Sequence, residues 1–63
     1  MTFTAGQRVR IVGCEDDPRA AGRTGRIVDE VPPGVLTGGR WTVHGAGLLI
    51  GPVLCHPHEL RPA

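Results

Sequence analysis

Ten Gly and six Pro are scattered through 63 residues, and that spacing limits the fold more than any other feature of the chain. Proline removes a backbone donor and locks φ, while glycine inside a helix costs about 1 kcal/mol relative to alanine. The stretches between them are too short and too β-branched for a stable helix. Residues 17–25 are the one exception to weigh, and there Pro18 and Gly22 leave room for a single turn.

What remains reads as strands. Arg8-Val9-Arg10-Ile11 alternates polar with apolar, the period-2 pattern of a half-buried strand with Val9 and Ile11 inward. Residues 25–31 read as a second strand around Ile27, and residues 40–44 as a third with Trp41 and Val43 on one face. Gly45-Ala46-Gly47 reads as a short hairpin loop. Beyond it, Leu48-Leu49-Ile50 and Val53-Leu54-Cys55 form either two strands about a Gly51-Pro52 turn or one bulged strand. His56-Pro57-His58-Glu59 makes a single 3-10 turn before a closing strand that drops Leu60 into the core. Val31-Pro32-Pro33-Gly34 suits a type II turn, and the loop continues through Gly38 and Gly39 as the most mobile segment.

Five or so short antiparallel strands must bury one apolar face, and no helices are left to cover it. A sheet that curls on itself meets that need, which predicts an all-β fold: one small, partly open barrel domain over residues 1–63. Val9, Ile11, Ile27, Val43 and Leu60 are the expected core, with Trp41 its largest member and Cys55 a small buried apolar residue. A chain this short buries only about 60% of the surface its unfolded form exposes, so a thin core and support from a partner are expected.

Two stretches carry a family resemblance. Gly6-Gln7-Arg8-Val9-Arg10-Ile11-Val12, a loop, and then Gly22-Arg23-Thr24-Gly25-Arg26-Ile27-Val28 resembles the opening of KOW-type SH3-like barrels. That opening is a strand, a Gly-marked turn and a second strand beginning Gly-x-x-Gly. Residues 53–62 resemble the last strand, short turn and closing strand of the same class, so the likeness covers roughly two-thirds of the chain. It implies an SH3-like barrel, and for KOW modules it implies binding of RNA or polymerase through basic loops. Here the first loop carries Glu15-Asp16-Asp17 instead.

Charge and motifs then narrow the function. Seven Arg and no Lys stand against six acidic residues, a net charge of +1, whereas a nucleic-acid binder usually shows a clearly basic domain. Residues 1–6 lack the charged and apolar regions of a signal peptide, and the apolar stretch 46–54 is too short to span a bilayer. The expected location is cytoplasmic, with Cys14 and Cys55 reduced and not bridged. Glu15-Asp16-Asp17 is read as a solvated loop tip, and no calcium-loop pattern follows it. Cys14, His44, Cys55, His56 and His58 are metal-ligand types without metal-site spacing, so no metal is expected and the histidines are taken as exposed. Ser is absent and a 63-residue barrel lacks the depth to orient a Cys–His pair, so the chain is read as not an enzyme, with no cofactor and no small-molecule substrate.

The leading expectation is a non-catalytic protein-interaction module, a small accessory component of a larger assembly, cellular or virion. Residues 48–54 hold more apolar side chains than one small barrel can hide, so one or two must face outward. Leu48, Leu49 and Leu54, with Pro33, Val35 and Leu36 of the neighbouring loop, are the candidate contacts for a protein partner or a second copy. The alternative is a KOW-like RNA- or DNA-binding domain in which Arg8, Arg10, Arg23, Arg26 and Arg40 form one outer face that holds phosphates. Against it stands ordinary polar alternation, with Asp29 and Glu30 as cross-strand partners for those arginines. A second alternative is a metal-dependent regulatory factor built on the Cys/His set.

Overall fold

The alternation of residues 8–11 is realised as strand β1, Arg8–Ile11, with both arginines exposed and Val9 and Ile11 fully buried. The computed structural model describes residues 3–29, 34, 38–47 and 49–63. The other strands are β2 (Thr24–Ile27), β3 (Trp41–His44), β4 (Val53–Cys55) and β5 (Leu60–Pro62). They form one antiparallel sheet in the order β4-β3-β2-β1-β5, curled into a half-barrel. No α-helix occurs among the described residues, where 3-10 turns stand at Pro18–Ala20 and at Pro57–Glu59, the second directly before β5. The all-β architecture is therefore as expected, and it is compatible with an SH3-like fold. Among the described residues no helix is long and apolar enough to cross a membrane.

The concave face holds the core. Val9, Ile11, Ile27, Val43 and Leu60 are all buried there, joined by Trp41, Val53, Cys55, Cys14, Ala20, Ala46 and Phe3. The Phe3 ring meets Trp41 edge-on, centroids 5.4 Å apart at 87°, the geometry in which a ring edge faces the electron-rich π surface. Gly25 sits opposite Val9 in this layer. A Cβ at Gly25 would lie 2.6 Å from the His44 carbonyl oxygen and 2.7 Å from Val43 Cγ1, so glycine is what allows β2 and β3 to close. Gly22, with φ +83°, turns the chain into β2.

Several boundaries differ from the sequence reading. The second strand was expected to run to residue 31 but ends at Ile27. Val28 N–H still donates to Thr42 O at 2.9 Å, and the next ladder position is taken by a side chain, with Thr42 N–H donating to Asp29 Oδ2 at 2.6 Å. A carboxylate has replaced the carbonyl, which ends the strand. Of the expected strand at 48–50, Leu48 lies outside the described residues and Leu49 and Ile50 lie in no strand: Gly47 and Ile50 form an isolated bridge closed by an Ile50 N–H to Gly47 O bond of 3.2 Å, with Ile50 packed on the core. Among the described residues of this stretch, 53–55 are the ones that pair with β3. The expected turn at Pro32, Pro33 and Gly34 lies outside the described residues apart from Gly34.

The loop after β1 closes the half-barrel. Asp16 Oδ2 accepts from Leu54 N–H at 3.1 Å and the Cys14 thiol points to Leu54 O at 3.9 Å, so this loop occupies the free edge of β4. Asp17 caps the Pro18–Ala20 turn, accepting from Arg19 N–H at 3.1 Å and pairing with the Arg19 guanidinium at 2.8 Å. Both bonds to Arg19, the side-chain one foremost, hold the Asp17 carboxyl below its ordinary range. The acidic triplet is thus more than a solvated tip. Glu15 and Asp16 are exposed, yet the segment secures a sheet edge that would otherwise present unpaired backbone.

Candidate functional site

Cross-strand register decides what the convex face of the sheet displays. β1 and β2 place Arg8 directly opposite Arg26, and β2 and β3 place Arg26 opposite His44. One row along, β1 places Arg10 opposite Arg61 on β5 and opposite Thr24 on β2. Arg8, Arg10, Arg26, His44 and Arg61 are all exposed, because their neighbours Val9, Gly25, Ile27, Val43 and Leu60 take the buried side of the same strands. Two Arg–Arg pairs therefore face one another across adjacent strands. Like charges in direct register are unfavourable by a few tenths of a kcal/mol or more, so the fold gains nothing from them.

The carboxylates that could have offset this charge are engaged elsewhere. Asp29 accepts from Thr42 N–H, Asp16 from Leu54 N–H, and Asp17 is held by Arg19. Glu59, only 7% exposed, accepts from Glu15 N–H at 2.8 Å and from His56 N–H at 2.7 Å. The second bond reaches back from the third position of the Pro57–Glu59 turn to its N-cap, half of a capping box with Pro57 at the first position. Among the described residues the ion pairs are Arg19–Asp17 and His56–Glu15, the latter at 3.6 Å. Arg8, Arg10, Arg23, Arg26 and Arg61 have no carboxylate partner among the described residues. Arg26 Nη1 donates to Gly6 O at 2.9 Å and Arg61 Nη1 to Leu60 O at 2.9 Å, which fixes two guanidinium groups without neutralising them.

Beside the Arg8–Arg26–His44 row lies a depression of about 300 Å³ lined by Arg8, Thr24, Gly25, Arg26, His44 and Gly45. Gly45, with φ +77°, turns the chain away at its rim. The walls thus offer two guanidinium groups, an imidazole and a hydroxyl. Beyond Arg26 the same face becomes apolar, with Val28 46% exposed next to Thr42 and half-buried Leu54. Of the arginines anticipated from the sequence, Arg8, Arg10 and Arg26 come together here. Arg23 is exposed just before β2, whereas Arg40 is half-buried and stands at the opposite end of β3 from His44. Asp29 is not their partner, and Glu30 lies outside the described residues.

The apolar candidates are placed less completely. Leu49 is 86% exposed and Leu54 half-buried, so at least one side chain of the 48–54 segment does face outward. Leu48, Pro33, Val35 and Leu36 lie outside the described residues. The Cys/His set divides. His44 joins the arginine face, His56 stacks on His58 with centroids 5.3 Å apart, and the thiols of Cys14 and Cys55 meet in the core at 3.8 Å. Among the described residues no three of His, Cys, Asp and Glu converge as metal ligands. His44, Arg61 and Thr24 were not grouped with the arginines from sequence alone. Strand alternation put His44 on the polar face, but only the register aligns it with Arg26.

Comparison with known protein families, with curated proteins and with solved structures gives no significant match, so the face stands on its own geometry.

Proposed function

We propose that this chain is a non-catalytic binding module, an accessory component of a larger assembly, whose working surface is the convex face of the sheet. The ligand class that suits it is a phosphate-backboned nucleic acid. The observation that carries this reading is the pair of in-register Arg–Arg contacts, Arg8 with Arg26 and Arg10 with Arg61, without a carboxylate beside them among the described residues. A surface that repels itself in the free protein is relieved by an anion. Guanidinium groups donate to phosphate oxygens in a bidentate fork, and the depression between Arg8, Arg26 and His44 can seat such a group. Binding of this kind orients the backbone and reads no bases, in keeping with a face that has few groups to reach base edges. The KOW-like reading of the sequence belongs here, with the sheet in place of the family's basic loops.

A protein partner is the second reading, favoured by Leu49, whose side chain is exposed while its neighbour Ile50 packs on the core. Fluorescence anisotropy with a labelled oligonucleotide, run beside a pull-down for protein partners, separates the two. Arg8→Glu with Arg26→Glu should lower oligonucleotide affinity at least tenfold and leave the fold intact. Leu49→Glu should leave it unchanged. Loss of the native assembly on Leu49→Glu alone, with the arginine reversals silent, would replace the first reading with the second.

A further inference from the structure

We infer that Cys14 and Cys55 form an oxidation site, a thiol pair that closes to an intrachain disulfide and fastens the acidic loop covalently to the edge of β4. The sulfurs already touch, 3.8 Å apart, although the residues are 41 positions apart in the chain. Bonding needs an approach to about 2.05 Å, within reach of side-chain rotation and a small loop adjustment. The surroundings distinguish the two. Cys14, at 6% exposure, lies on the loop and accepts a hydrogen bond from Asp17 N–H at 3.4 Å. Cys55, fully buried in β4, donates to the Cys14 sulfur. Two donors therefore point at the Cys14 sulfur. Burial first, and then the hydrogen bond it makes to Cys14, push Cys55 up to about 12, so Cys55 keeps its proton.

The co-reactant that suits so enclosed a pair is hydrogen peroxide. The Cys14 sulfur attacks one peroxide oxygen, the O–O bond breaks, and the departing hydroxide leaves as water with the thiol's proton. Cys14 is then a sulfenic acid. The Cys55 sulfur next attacks the Cys14 sulfur, the S–O bond breaks, and the hydroxide takes the Cys55 proton as a second water. Two thiols give up two electrons and one peroxide is reduced to two waters. The bond reinforces a latch already in place, because Asp16 and Cys14 both bind the Leu54 backbone. With the loop locked there, the β4 edge is closed to strand addition.

Treating the purified chain with hydrogen peroxide tests this directly. The expected product is a monomer that has lost two hydrogens and both titratable thiols, with a melting temperature raised by on the order of 10 °C. Thiol reductant should reverse every change. Cys55→Ala, checked for folding by circular dichroism, should stop at a Cys14 sulfenic acid that dimedone traps. Two thiols still titratable after treatment, disulfides that join separate chains, or an intrachain bond without a change in melting temperature would each overturn the inference.

Discussion

Glu59 shows how much one side chain settles in this fold. Its two oxygens hold the amides of Glu15 and His56, so it ties the loop after β1 to the turn before β5. Glu59→Ala leaves two N–H groups without their acceptor and is expected to lower stability by about 2–4 kcal/mol in urea unfolding, with Glu59→Gln losing less. Gly25→Ala should cost about 1–3 kcal/mol by the same measurement, since its Cβ collides with the β3 backbone. Arg10→Thr should do the opposite. Relieving a like-charge pair and adding a β-branched residue should raise stability by about 0.2–1 kcal/mol while weakening oligonucleotide binding. Stability gained at the expense of binding marks a residue kept for its ligand. Cys55 sets an alkaline limit. Its pKa is raised from the ordinary 9.0 to about 12, so the folded state holds that proton more tightly than the unfolded chain. The stability this contributes is fully present below pH 9 and is lost as pH climbs toward 12. Cys55→Ala should flatten that part of the profile.

At the scale of elements, β1 was legible because alternation over Arg8–Ile11 needs no context, and the Pro57–Glu59 turn because Pro57 fixes its first position. Ile27 was equally clear, and Ile27→Ala should cost about 2–4 kcal/mol. The end of β2 was not legible, since Val28-Asp29 continues a strand pattern. What stops the strand is an Asp29 carboxylate reaching the Thr42 amide, a contact between residues 13 apart. Leu49 and Ile50 left the strand expected of them for a related reason. An apolar run of three carries no period, and Gly47 lets Ile50 fold back against it. The arginine face was half legible. Alternation placed Arg8 and Arg10 on one side, but the pairing of Arg26 with Arg8 and of Arg61 with Arg10 depends on register, which single strands do not encode. Glu59 gave no sign in the sequence. A lone acid after His58 looks like surface until the backbone amides it serves are known.

For the molecule as a whole, the net charge of +1 conceals a division. Carboxylates gather on backbone amides at the β4 edge and the turn before β5, while four arginines and a histidine occupy the convex face. Steering and binding depend on that local field rather than on the sum. If about four phosphates are contacted, log–log plots of affinity against salt should have a slope near −3 to −4, and each arginine removed should reduce it by about one. The most direct test of the binding face is an amide chemical-shift map of the 15N-labelled protein titrated with a short oligonucleotide. The account predicts saturable shifts concentrated at Arg8, Arg10, Thr24, Arg26, His44 and Arg61, with the Glu15–Asp17 loop unmoved. Shifts centred on Leu49 and Ile50, or no saturable shifts at low salt, would contradict it.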